Sequence, residues 1–232
     1  MKNKNNYWFY SSIIIGFILL LISSCKKDNN ASVPLLNKSP VTDVDANTYN
    51  TLLIGNQTWL AENLKVTKFN DGTVIPLVED SLAWSILTSA GYCTSKQQSI
   101  TEFGAMYNWY AVNSGKLCPE GWHVPSDDEW TTLTTYLGGE DIAGGKLKEF
   151  GSVHWLSPNT GASNESGFTA LPGAGRYFDG TFWGIGMYGN WWSSTEKSAD
   201  VAWLRNLHSS DGGIYRDNSP KGSAFSVRCI KN

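Results

Sequence analysis

Beyond Val41 the chain is interrupted every few residues by Gly, Asn, Asp or Pro, and the runs between are short, aromatic and β-branched. Such runs favour a pleated, half-buried surface, and the interrupting residues supply the turns between strands. Ten of the 11 Trp lie in this stretch, while charged residues make up only 17% of the sequence. The pattern predicts an α+β fold: short antiparallel strands and hairpins, with two short helices.

The individual turns can be read. Gly55-Asn56 separates two strand-forming runs in "TYNTLLIGNQTWLAENL", a two-residue hairpin signal. "NDGT" at 70–73 is a further turn, and Asp179-Gly180 and Asp211-Gly212-Gly213 sit between aromatic runs as hairpin tips. One helix is expected over Phe103–Asn113, stopped near Gly115. The second begins in "LCPEGWHVPSDDEW", Leu117–Trp130. Here Ser126 and Glu129 form the S-x-x-E capping box, and Asp127 and Asp128 fall in the first turn, where the helix dipole favours negative charge. Trp130, Leu133 and Leu137 follow on one face, and Gly138-Gly139 ends the helix. The acidic cluster therefore reads as a helix start, not as a catalytic or metal site.

The N-terminus carries an address. Lys2 and Lys4 precede the apolar run Ile13–Ile22, which is too short for a membrane-spanning helix but suits a signal peptide. "LISSC" resembles the lipobox of bacterial lipoproteins, which implies cleavage after residue 24 and lipidation of Cys25. Residues 1–24 are then a lipoprotein signal peptide, 25–40 a flexible polar tether and 41–232 a single domain. The expected location is the cell envelope, anchored by lipid to the outer membrane, facing either periplasm or medium. The formal charge of −3 becomes −5 once Lys2 and Lys4 are removed. With no basic patch, nucleic acid is not an expected partner.

Other motifs carry less. Gly184, Gly186 and Gly189 match G-x-G-x-x-G, but strand-and-turn sequence flanks them where a dinucleotide site needs a strand before and a helix after. "DVDANTYNTLLI", Asp43–Ile54, begins like a calcium loop, with Asp43, Asp45 and Asn47. It has Thr48 where Gly is needed and Ile54 where the bidentate Glu belongs, so calcium is left without support and no cofactor is expected. His123, His154 and His208 have no metal-site spacing, and no nucleophile motif is present. With Cys25 lipidated, Cys93, Cys118 and Cys229 remain, and the sequence allows any of three pairings.

"IGNQTWLAENL", "YNWYAVNSGKLCPEGWHVPSDDEWTTL", "NESGFTALPGAGRY", "WWSSTE" and "FSVRCI" together resemble the Fibrobacter succinogenes major paralogous domain, in the family's own order. Ala46 stands where the family's usual Asp-Gly-Asn turn has Gly. The resemblance implies an exported domain of C-type-lectin-like fold, related to formylglycine-generating enzymes. It also implies a disulfide between Cys118 and Cys229, with Cys93 left over. Neither relative's chemistry carries across by residue. The sugar-binding tripeptides E-P-N and Q-P-D are absent, and the late reactive cysteine pair is missing.

The expected function is therefore a lipid-anchored envelope binding module. Glycan is the favoured ligand and envelope protein the next. The alternatives are a structural lipoprotein, or an enzyme acting on polysaccharide or polypeptide through carboxylates that only the fold brings together. The candidate ligand surface is Trp191, Trp192 and Trp203 beside Asn190, Ser194, Glu196 and Asn206, with at most one of Trp191 and Trp192 facing outward because strand neighbours alternate.

Overall fold

The computed structural model describes residues 36–95 and 97–232. The expected signal peptide, the expected lipidation residue Cys25 and most of the expected tether lie outside the described residues. The α+β expectation holds at the level of class: short antiparallel strands predominate, with a few short helices.

The first sheet gathers both ends of the domain. Strands β1 (Leu36–Thr42), β2 (Thr48–Ile54) and β3 (Gln57–Leu60) form a meander, joined by the C-terminal β13 (Ile230–Lys231) and then β6 (Trp122–His123). The β2–β3 turn falls at Gly55-Asn56, where Ile54 pairs with Gln57 and Gly55 takes φ 63°. Strand β1 starts inside the segment expected as tether: Leu36 and Asn37 pair with Leu52 and Thr51 of β2. In the β1–β2 turn Ala46 adopts φ 63°, the left-handed conformation usually left to Gly. The Asp43 carboxylate closes the turn by accepting from the Asp45 and Asn47 amides, the Asn47 carboxamide and the Tyr49 hydroxyl.

A second sheet has order β4 (Tyr92–Cys93), β5 (Met106–Asn108), β12 (Ala224–Phe225), β7 (Gly175–Arg176), β8 (Phe182–Trp183). The third pairs β9 (Tyr188–Glu196) with β10 (Val201–His208), and β10 with β11 (Tyr215–Pro220). The Asp179-Gly180 and Asp211–Gly213 turns sit at hairpin tips as expected. Of the G-x-G-x-x-G glycines, Gly184 and Gly186 lie between β8 and β9 and Gly189 lies within β9, so a strand and not a helix follows the motif.

Among the described residues five helices replace the expected two: α1 (Ser81–Ser85), α2 (Ile100–Phe103), α3 (Trp109–Val112), α4 (Asp127–Tyr136) and α5 (Glu140–Leu147). The helix expected over Phe103–Asn113 is wrong as drawn. Gly104 at φ 80° ends α2, the buried run Met106–Asn108 is strand β5, and the Asn108 carboxamide then caps α3. The capping box of α4 is present in both directions, with the Ser126 hydroxyl accepting from the Glu129 amide and the Glu129 carboxylate accepting from the Ser126 amide.

Two large apolar clusters flank β9. Trp192 joins the one containing Tyr49, Tyr107 and Phe225, and Trp191 joins the one containing Trp59, Trp130 and Phe168. Alternation does send the two Trp to opposite faces, but both faces are covered.

Buried cations fill the polar needs of the loops. Irregular backbone leaves carbonyls with no ladder partner, and each needs a donor once buried. Arg176 donates to the carbonyls of Val78, Glu79 and Gly180. Lys148 donates to those of Thr160, His208 and Asp211. Arg228 donates to those of Leu60, Ala61 and Phe168, and also to the Asn63 side chain. Burial pulls Lys148 down to about 8 and Arg228 down to about 9. These cations hold the loops together.

Candidate functional site

The surface expected around β9 is largely buried. Trp191, Trp192, Asn190 and Asn206 are buried, and the two carboxamides hydrogen-bond each other. Trp203 is half-buried, with the Arg216 guanidinium 3.4 Å from its ring centroid and the Lys197 ammonium at 4.7 Å. Ser194 and Glu196 are exposed, and Glu196 pairs with Lys221 at 2.5 Å. The expectation failed because it assumed that β9 has a solvent face.

The acidic cluster before α4 has two structural tasks. Besides starting the helix, the Asp127 carboxylate bonds Arg205 of β10 at 2.6 Å and Arg216 of β11 at 2.8 Å, tying the third sheet to α4. Burial works against the Glu129 charge, but bonds from Ser126 and His123 outweigh it and hold the carboxyl below its ordinary value. The His123 ring lies between Glu129 and Asn232.

The aromatic residues that do reach the surface lie elsewhere. The β7–β8 hairpin projects Tyr177, Phe178 and Phe182, which are 43%, 54% and 37% exposed. Phe182 and Trp183 form one wall of a cleft of about 570 Å³, and Glu79, Thr94, Ser95 and Gln97 contribute polar atoms to it. The indole N–H of Trp183 has no acceptor among the described residues. Arg176 underlies this wall: its guanidinium sits between Trp84, at 4.6 Å, and Phe182, at 4.9 Å.

From Trp183 a continuous row of rings runs along the surface. Tyr177 stacks on Trp183 at 5.3 Å and 17° between planes, and Trp183 meets Tyr188 at 5.1 Å. Tyr188 meets His208 edge-on at 4.9 Å, and His208 stacks on Tyr215 at 4.6 Å and 26°. None of the five is buried, and Tyr215 at the far end is 44% exposed. Strand register makes this row: Tyr188 and His208 are directly paired on β9 and β10, and Tyr215 opens β11. The Lys148 ammonium holds the His208 and Asp211 carbonyls, which fixes the β10–β11 end of the row.

The row was missed because its members come from the β7–β8 turn and four strands, and its contacts depend on register. The available signal was "GRYFDGTFWGIGMYG", which carries five aromatics around a hairpin tip.

Cys118 and Cys229 are bridged, and Cys93 is free and buried, its thiol pushed up to about 12 by desolvation. Among the described residues no group of three or more His, Cys, Asp or Glu is placed to hold a metal ion, and no helix is long and apolar enough to cross a membrane.

No curated protein and no solved structure matches the chain. The model of the Fibrobacter succinogenes major domain matches residues 52–231, from the middle of β2 to the last residue of β13. That span takes in the hairpin, all five helices, the disulfide and the aromatic row, and the chain belongs to the Fibrobacter succinogenes major domain family.

Proposed function

We propose that this is a lipid-anchored binding module of the cell envelope that holds an extended glycan along the row from Tyr177 to Tyr215, with the cleft at Phe182 and Trp183 receiving one end. The observation that carries the reading is the row itself, five contacting rings of which none is buried. Aromatic faces pack against the C–H faces of sugar rings, and an amphipathic Tyr or Trp gives contact area at low entropic cost. The polar atoms of Thr94, Ser95, Gln97 and Glu79 supply donors and acceptors for hydroxyl groups in the cleft.

The C-type-lectin-like reading of the fold is supported by the first sheet, which joins both ends of the domain, and by the bridge from Cys118 to the C-terminal segment. The lipid anchor at Cys25 and the outer-membrane location rest on "LISSC" after a basic and apolar leader. Two acyl chains suffice for stable anchoring. Replacing Cys25 with Ala moves the protein from the membrane to the soluble fraction; a variant that still sediments with membranes contradicts the anchor.

A glycan array, run with calcium and with EDTA, tests the binding reading. Purified protein binds one class of polysaccharide, and Tyr177→Ala and Tyr215→Ala each weaken that binding by about fivefold, the loss of roughly 1 kcal/mol of ring contact. Silence from folded protein in both conditions, or binding indifferent to both substitutions, overturns it. Loss of binding in EDTA alone assigns recognition to a metal instead of the rings.

A further inference from the structure

A second cleft, of about 510 Å³, opens above Arg228 and is built differently. Its reachable aliphatic lining is Ala61, just after β3, and Leu171, with the fully buried Leu52 of β2 behind them. Two carboxylates line it, Glu62 and Glu102. No aromatic ring lines it.

Both carboxylates are held in place. Glu62 accepts from the Asn50 amide at 2.9 Å and from the Asn50 carboxamide at 2.8 Å, one bond to each oxygen. Glu102 lies 2.9 Å from His154 Nε2, and Glu149 holds His154 Nδ1 from the other side. The neutral polar groups are already engaged. The Asn164 carboxamide donates to the Thr169 hydroxyl and accepts from the Thr169 amide, and the Asn63 side chain is shared among Phe103, Trp191 and Arg228.

Arg228 offers an anion little: it is 1% exposed, its Nη1 donates to three carbonyls, and its Nε and Nη2 each donate to Asn63. The charges facing this region are those of Glu62, Glu102 and Glu149 against Arg228 and, when it is protonated, His154, a net of −1 with the imidazolium and −2 without it. Lys146 and Glu165 pair with each other at 3.5 Å and cancel.

We infer that this cleft is a docking site for a basic side chain, lysine or arginine, presented by a polypeptide. An aliphatic stem lies along Ala61 and Leu171, and the cationic head reaches Glu62 and Glu102. Long cationic side chains bury their methylenes and keep the charge at a polar rim, which is the division this cleft presents. A sugar hydroxyl needs no such stem, so the site is distinct in chemistry from the aromatic row.

The test is amide NMR of the protein titrated with the capped tripeptides Gly-Lys-Gly, Gly-Arg-Gly and Gly-norleucine-Gly. The basic peptides shift the amides of residues 50, 61–63, 102 and 164–171, and norleucine does not. Glu62→Gln and Glu102→Gln each weaken the basic peptides by about fivefold, as removal of one partly exposed ion pair does, and 0.5 M salt weakens them further. Both variants keep the carboxylate's shape, and thermal melts establish that they fold.

Equal shifts with norleucine overturn the inference, as do shifts confined to other residues or affinities unchanged in both folded variants. Glycan binding along the row is read separately, through Tyr177 and Tyr215, so either result stands without the other.

Discussion

At the scale of single residues, His154 is the group whose charge state the fold controls most visibly. Burial pulls its pKa down, but hydrogen bonds to Glu149 and Glu102, together with their negative charge, outweigh that and leave it raised. Each ring nitrogen faces a carboxylate, so only the doubly protonated imidazolium can donate at both ends. The sign follows from linkage. A histidine whose folded pKa exceeds its unfolded value of about 6.5 adds stability that is complete below that value and is lost as pH rises through the folded pKa. The melting temperature of the protein relative to His154→Asn should therefore be highest near pH 5.5 and shrink as pH is raised to 9. A difference that stays flat across that range would show that the pair of carboxylates does not favour the charged ring. The same titration bears on the second cleft, since a neutral ring can donate to only one of Glu149 and Glu102, and loss of the imidazolium makes the cleft more negative.

At the scale of elements, the sequence was legible wherever local chemistry alone decides the backbone. The Gly55-Asn56 hairpin, the turns at 70–73 and 179–180 and the capping box of α4 each need only a few neighbouring residues, and each is where the sequence puts it. Helix α5 shows the opposite case. "EDIAGGKL" reads poorly as a helix because two adjacent glycines sit inside it. The glycines are there for packing: a Cβ on Gly144 would lie 1.8 Å from the Gly213 carbonyl oxygen, and one on Gly145 would lie 2.2 Å from that of Gly161. The helix is therefore stabilised by backbone laid against two distant loops, a contact no local pattern announces. The split of the segment 100–112 into α2, β5 and α3 has a similar origin. Its apolar residues suit a helix face, yet β5 is drawn into the second sheet by Cys93 and Phe225, which pair with Met106 and Tyr107. Strand β9 repeats the lesson for the site. "NWWSS" correctly implies two Trp on opposite faces, but only the fold places an apolar cluster on each face.

At the scale of the whole molecule, the termini of the domain are locked together. Strand β13 sits between β3 and β6, one residue after Cys229, and Cys229 is bridged to Cys118 on the segment leading into β6. Sequence chemistry left three pairings open, and the family resemblance selected the one found. The bridge spans a sequence separation of 111 residues, so in the chain-entropy model it removes about 4–5 kcal/mol of freedom from the unfolded chain. Most of that should appear in unfolding and little in the native contacts, because the first sheet already holds both segments by hydrogen bonds. Replacing both cysteines with Ala should therefore lower the urea midpoint by an amount equivalent to several kcal/mol while leaving the native amide spectrum largely unchanged outside residues 116–125 and 226–232. If the double variant instead loses dispersed amide signals throughout, the bridge is needed to form the first sheet at all. Unchanged stability would mean that the unfolded chain is already compact around the Trp-rich segments, which would make the aromatic content itself, and not the crosslink, what limits its freedom.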